Sequence, residues 1–142
     1  MITDEETRAK IEAALPTFFI HEASHGTVAL ALHVPVKWLD VFTNDDGLNG
    51  VCQHGPTTPE YDALIGIAGS VGETLAYGEG RISRRDAKWL DGKSDDELKT
   101  LARRAAAILR DNWECVTTLA EALRQKMPEP LMAEDFTVNY RS

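Results

Sequence analysis

The chain is poor in cysteine, which argues against a fold stapled by disulfides. Its 142 residues include only Cys52 and Cys115, which lie far apart and form no Cys-x-x-Cys pattern. Small secreted domains that depend on disulfides carry more cysteines at closer spacing. We therefore expect reduced thiols and a cytoplasmic protein.

Basic residues are also scarce relative to acidic ones. The chain has 15 Lys and Arg against 23 Asp and Glu, a formal net charge of −8. Because nucleic-acid binding depends on clustered basic side chains that neutralise phosphates, we expect no nucleic-acid partner. The sequence has no 18-residue apolar run and an acidic N-terminal stretch, so we expect neither a membrane anchor nor a secretory signal.

Apolar residues are sufficient for one packed domain. They make up 43% of the chain, and we expect a single domain over residues 1–142. Its core should span about residues 4–127, with a C-terminal tail over residues 128–142.

Capping and breaking signals predict two helices in the first quarter of the chain. Thr3 and Glu6 form a capping-box pattern that starts a first helix, and Pro16 is expected to end it. A second helix should follow over residues 17–32 and end near His33. This segment is apolar nearly all round, which indicates a buried helix.

The rest of the chain predicts a small hairpin and further helices. The expected elements are strands at 37–43 and 48–54 and helices opened by Thr58, Ser83 and Ser94, the last running to Met127. In the helix opened by Thr58, the glycines recur every three residues as Gly66, Gly69 and Gly72. Each glycine costs roughly 1 kcal/mol of helix propensity against alanine, which predicts close packing against another helix. The expected class is α+β, mainly α with a small β-hairpin or sheet.

Residues 21–25, His-Glu-Ala-Ser-His, are the most specific chemical signal in the chain. On a helix, positions i and i+4 share a face with Cβ atoms roughly 5–6 Å apart, so His21 and His25 can bind one Zn²⁺. Glu22 points elsewhere and can reach a water beside that ion, where a general base is needed. The alternative is a pair of structural histidines, but their burial would need compensation of the kind that a metal supplies.

A catalytic zinc usually takes three protein ligands and keeps one position for water. The other histidines, His33 and His54, are poorly placed to supply the third. The candidate carboxylates are Glu73, Asp86 and the run Asp95-Asp96-Glu97. Each has a structural alternative, since the aspartates can cap helices and Glu73 can orient a ligand histidine. The residues alone leave the choice open.

The order of these motifs resembles the peptidase domain of the FtsH-type ATP-dependent zinc proteases. Residues 21–25 and 67–78 (Ile-Ala-Gly-Ser-Val-Gly-Glu-Thr-Leu-Ala-Tyr-Gly) are similar to the family's His-Glu-Ala-Gly-His helix and its Gly-Gly-Arg-x-Ala-Glu-Glu-x-x-x-Gly helix. The family's third ligand is an Asp shortly after the last glycine, which implies Asp86 here. The resemblance also implies a zincin-like helical metallopeptidase domain. Ser24 replaces the family's Gly, and its ATPase module and Gly-Ala-Ser-Asn-Asp segment are not reproduced, so we expect a stand-alone, minimal relative.

The predicted function is a zinc-dependent metallopeptidase that hydrolyses flexible or unfolded polypeptide, with Glu22 as general base. The predicted cofactor is Zn²⁺, although a site of two histidines and one carboxylate also suits Fe(II). The expected partner is the polypeptide substrate, which the resemblance places along an edge strand, and homo-oligomerisation is left open. Two alternatives remain: a catalytically inactive metal-binding interaction module, and a single-target regulator protease of the ImmA/IrrE type.

Overall fold

A computed structural model describes residues 4–142, and most of these residues are helical. In chain order the elements are α1 (Asp4–Ala31), β1 (Val36–Asn44), β2 (Gly47–His54), α2 (Pro59–Tyr77), α3 (Arg84–Leu90), α4 (Asp95–Asp111), α5 (Trp113–Lys126), β3 (Leu131–Met132) and a 3₁₀ turn (Ala133–Asp135). The three strands form one antiparallel sheet in the order β2-β1-β3. This architecture confirms the expected mainly helical α+β class.

The first two expected helices are one continuous helix. Pro16 lies inside α1, so the prediction that it ends a helix is wrong. A proline removes the N–H that would bond the carbonyl four residues earlier, here that of Glu12. Both residues are exposed, so water can satisfy that carbonyl while packing of the C-terminal half holds the helix together. The expected capping box at Thr3 lies outside the described residues.

The hairpin and α2 begin and end where their turn residues predict. Asn44 pairs with Gly47 across the tight turn, and Gly47 has a φ of 109°, which favours glycine. The hydroxyl of Thr58 caps α2, and Gly78 ends it with a φ of 87°. These boundaries confirm the expected strands and the expected helix.

The expected single helix from Ser94 to Met127 is divided at Asn112, so that prediction is wrong. The Asn112 amide donates to the carbonyl of Ile108 at 2.9 Å and to that of Arg141 at 3.1 Å. Such side-chain bonds compete with the helical backbone pattern. The division therefore comes from a long-range contact that local periodicity does not reveal.

The residues expected to form only a tail add an edge to the sheet. Leu131 in β3 pairs with Leu39 in β1 and is buried. The segment after Met127 is thus part of the packed domain, which extends the expected core beyond residue 127.

The C-terminal half of α1 is the centre of the fold. From Phe19 to Ala31 nearly every residue is buried, because α2, α5 and the hairpin all pack on it. This packing places the segment 21–25 beneath β2 and alongside α2. Within residues 4–142, the helices lack a stretch of the length and hydrophobicity that a membrane span requires.

Candidate metal centre

His21 and His25 lie one turn apart on the buried half of α1 and face the same side. Their ring centroids are 4.6 Å apart with the planes at 79°. Both residues are buried, with 9% and 3% of their surface exposed. The helical spacing therefore brings the two imidazoles together, as the sequence predicted.

The Nδ1 atom of each ring is held by an acceptor from α2. His21 Nδ1 lies 2.6 Å from Oε2 of Glu73, and His25 Nδ1 lies 2.5 Å from the carbonyl oxygen of Ile65. Because a carboxylate and a carbonyl only accept, each Nδ1 must donate its proton. In the neutral rings, each Nε2 is then left with a lone pair.

Asp86 from α3 completes a group of three converging donor atoms. Its Oδ2 lies 2.9 Å from Nε2 of His21 and 3.1 Å from Nε2 of His25, and the two nitrogens are 3.0 Å apart. Three lone pairs this close repel one another unless a cation lies among them. Ligands of a tetrahedral zinc with bonds of about 2.0–2.1 Å are about 3.3 Å apart, so the donor set fits such an ion with a small expansion.

The charges at this centre favour a bound cation. Burial acts to lower the pKa of His21, but hydrogen bonds with Asp86 and Glu73 outweigh it and raise the pKa to about 10. Burial opposes ionisation of Asp86, yet the hydrogen bonds with His21 and His25 hold its pKa below the ordinary range. The metal-free centre therefore holds a proton that a metal ion must displace.

Glu22 is set back from the converging atoms. The donor atoms of Glu22, His21 and His25 lie within 4.8 Å of one another, which makes Glu22 a rival for the third ligand. Its Oε2 is 4.0 Å from Nε2 of His21, however, whereas Asp86 is at 2.9 Å. Asp86 is thus the better placed ligand, and Glu22 is better placed to contact a water. Burial raises the pKa of Glu22, which suits a general base.

Glu73 takes the orienting position that the sequence left as its alternative role. It is buried, and its carboxylate contacts the Nδ1 atom of His21, on the far side of the ring from Asp86. A carboxylate in this position fixes the tautomer and orientation of a ligand histidine.

The remaining candidates do not join the centre. Asp95, Asp96 and Glu97 lie in the exposed first turn of α4, where acidic residues favour the helix dipole. His33 follows the end of α1, and His54 ends β2. Within residues 4–142, none of these five residues has a hydrogen bond or ion pair with the histidine pair.

Glycines allow the close approach of the elements around the centre. A Cβ added to Gly69 would lie 2.5 and 2.6 Å from ring atoms of His21, and one added to Gly72 would lie 2.6 Å from Cβ of Ser24. Real Cβ atoms essentially never approach another heavy atom more closely than 3.0 Å. The expectation that these glycines mark close helix packing is confirmed.

The centre forms the floor of a groove with a volume of about 1130 Å³. Strand β2 lines one side and α3 with its preceding loop lines the other. Arg85 joins the two sides, because its Nη1 donates to the carbonyl of Gly50 at 3.1 Å. Since β2 is at the edge of the sheet formed within residues 4–142, the groove runs beside backbone groups that have no neighbouring strand there.

Three residues at the site were not among the residues predicted to form it. A Cβ on Gly50 would lie 2.7 Å from Cδ of Glu22, and an isolated glycine within a strand is a known sign of such close approach. Cys52 also lines the groove, where burial raises the pKa of its thiol well above the ordinary range. Arg85 follows Arg84 in the sequence, and adjacent basic residues in an acidic chain are a recognisable sign of a local functional or structural role.

No known family model matches this chain, and no curated protein matches it either. Membership of the FtsH-type peptidase family therefore stays a prediction. The interpretation of the site depends on its own geometry and chemistry.

Proposed function

We propose that this protein is a zinc-dependent metallopeptidase that cleaves flexible or unfolded polypeptide. The convergence of His21, His25 and Asp86 at the floor of a groove, with Glu22 beside them, carries the proposal. The two Nε2 atoms and the Asp86 carboxylate would hold the ion. A zincin-like fold and a relationship to the FtsH-type peptidase domain belong to the same proposal.

The chemistry divides between the ion and the side chains. When bound, Zn²⁺ supplies Lewis acidity, which polarises a carbonyl and lowers the pKa of water to about 7. Glu22 accepts a proton at Oε2 from the attacking water and donates it to the leaving amine nitrogen. Glu73 and the Ile65 carbonyl keep both imidazoles in the tautomer whose Nε2 lone pair would be free to bind the ion.

The groove supports a polypeptide as the substrate. Edge strand β2 runs along it and can pair with the backbone of an extended segment. A flexible or unfolded segment can adopt the extended conformation that such pairing needs, whereas a segment held in a helix or inside a sheet cannot. The site therefore suits unfolded polypeptide better than a folded protein.

An inactive metal-binding module is less well supported. A structural zinc is usually closed by four protein ligands, often including cysteine, and has no need of a base. Here Glu22 is buried within 4.0 Å of His21 without being the nearest donor. That position is better explained by a role in proton transfer.

The Glu22→Gln variant tests the proposal. The change removes the base but keeps the shape of a buried side chain, so we expect zinc content to stay unchanged and cleavage of unfolded casein to fall by about 10²–10⁴-fold. Glu12→Gln, on the exposed part of the same helix, should keep parental activity. Wild-type-like cleavage by the Glu22→Gln variant would refute this mechanism. Zinc binding without casein cleavage by the parent would instead favour an inactive module or a single-target protease.

A further inference from the structure

We infer that the groove selects polypeptide segments with acidic side chains, which bind a basic rim formed by Arg81, Arg84 and Lys88. This inference rests on the proposed function, because it names the substrate class of the same groove. The three residues lie on α3 and on the loop that precedes it, and all three line the groove.

The basic rim is exposed and has no acidic partner in the described structure. Each of its residues is exposed, and within residues 4–142 no carboxylate lies within 4.0 Å of their charged groups. Three cations placed in this way along one groove leave room for an acidic ligand.

The geometry of α3 places the rim beside the proposed reaction centre. Arg84 and Lys88 are four residues apart and therefore share one face of the helix. Asp86, between them, points into the centre and is buried. Arg84 and Lys88 therefore project from the face of α3 opposite Asp86. Because they still line the groove, the rim would bind side chains of the bound segment that lie away from the scissile bond.

Arg85 differs from the rim residues and has a structural role. Its Nη1 donates to the Gly50 carbonyl at 3.1 Å, which ties α3 to β2. Its positive charge also acts to lower the pKa of Glu22. For these reasons it is excluded from the rim and from the variants that test it.

The rest of the groove favours a peptide over a nucleic acid as the acidic ligand. A nucleic acid carries a phosphate at every nucleotide and would bring several past Glu22 and Asp62, which line the same groove, whereas a peptide can have its acidic side chains beside the rim alone. Strand β2 on the opposite side offers backbone N–H and C=O groups that a peptide can pair with. Ile82 and Trp89, 47% and 45% exposed, also line the groove and offer apolar surface to neighbouring side chains.

The test is the binding of fluorescein-labelled dodecapeptides to the Glu22→Gln protein purified with zinc, followed by fluorescence anisotropy. The peptides are identical except for Glu, Gln or Lys at alternate positions. Because each exposed ion pair contributes modestly, we expect the Glu peptide to bind about tenfold more tightly than the Lys peptide, with the Gln peptide between them.

Added substitutions assign the preference to the rim. Arg84→Glu with Lys88→Glu should reverse the order of affinities. Neutralising the whole rim with Arg81→Gln, Arg84→Gln and Lys88→Gln should abolish the preference, which keeps the test valid if the reversed pair does not fold. Lys99→Glu with Arg103→Glu, an exposed pair on α4 with the same charge change and spacing, should leave the order as it was.

The outcomes separate this inference from the proposed function. Equal binding of the three peptides, an order unaffected by the Arg84 and Lys88 changes, or equally tight binding of single-stranded DNA would overturn the basic rim. Preferred binding of the Glu peptide without cleavage by the parent would leave the rim standing and refute peptidase activity. Cleavage by the parent without any charge preference in binding would support peptidase activity and overturn the basic rim.

Discussion

The Gly69→Ala variant should bind zinc more weakly, although the substitution raises the helix propensity of α2. The new methyl would lie 2.5 Å from the nearest ring carbon of His21, against the 3.4 Å at which ordinary van der Waals contact begins. The ring must therefore move by about 0.9 Å or α1 and α2 must separate. Since metal–ligand distances tolerate only about 0.2 Å, we expect zinc affinity to fall by at least about 100-fold.

Helix propensity acts in the opposite direction, which makes the variant informative. Alanine is favoured over glycine in a helix by about 1 kcal/mol, so a loss of affinity cannot be explained by weaker propensity in α2. Competition with a chromophoric chelator measures the affinity, and circular dichroism checks the fold. Ser70→Ala, at the next position of the same helix, should bind zinc as the parent does. Parental affinity in Gly69→Ala would show that His21 is not a ligand in the arrangement described.

Three further changes test other parts of the site. Asp86→Asn should weaken zinc binding by about 100-fold or more, because it removes an anionic ligand. Asp95→Asn, at the exposed start of α4, should bind zinc as the parent does. Isothermal titration measures both affinities, and a larger loss in Asp95→Asn would show that Asp86 is not the third ligand. Gly72→Ala should lower the melting temperature because its methyl meets Ser24, and adding Ser24→Gly should recover most of the loss; no recovery would contradict this contact. In the metal-free protein the pKa of His21 is raised from 6.5 to about 10, so its stabilising contribution is complete below pH 6.5 and is lost as the pH rises through 10. In thermal melts with chelator, the parent protein should therefore lose more stability between pH 6.5 and pH 10 than the His21→Gln variant does. Equal losses in the two proteins would argue against a buried imidazolium at His21.

Local chemistry predicted most element boundaries, and long-range contacts account for the errors. The cap at Thr58 and the turn at Gly47 are local signals, and both held in the structure. Pro16 was predicted to break α1, but packing of the buried half outweighs the loss of one exposed hydrogen bond. Asn112 divides the last long helix because it bonds to Arg141, a residue far along the chain. Such a contact leaves no periodic signal in either segment.

The candidate site was predictable to different degrees. The pairing of His21 with His25 follows from helical spacing alone. The residues did not distinguish Asp86 from the other acids, because the position of α3 depends on tertiary packing; only the family resemblance favoured it. The basic rim is visible as a run of cations in the sequence, yet its position beside the centre required the structure. Close approach at Gly50 was missed although an isolated glycine in a strand is a recognisable sign.

X-ray absorption spectroscopy at the zinc edge of the purified protein tests the central claim most directly. The account predicts one zinc ion per chain, bound only to nitrogen and oxygen at about 2.0–2.1 Å, with imidazole scattering from His21 and His25. Asp86→Asn should alter the oxygen contribution and leave the imidazole signal. A protein without zinc, or a sulfur ligand at about 2.3 Å from Cys52, would contradict the proposed centre.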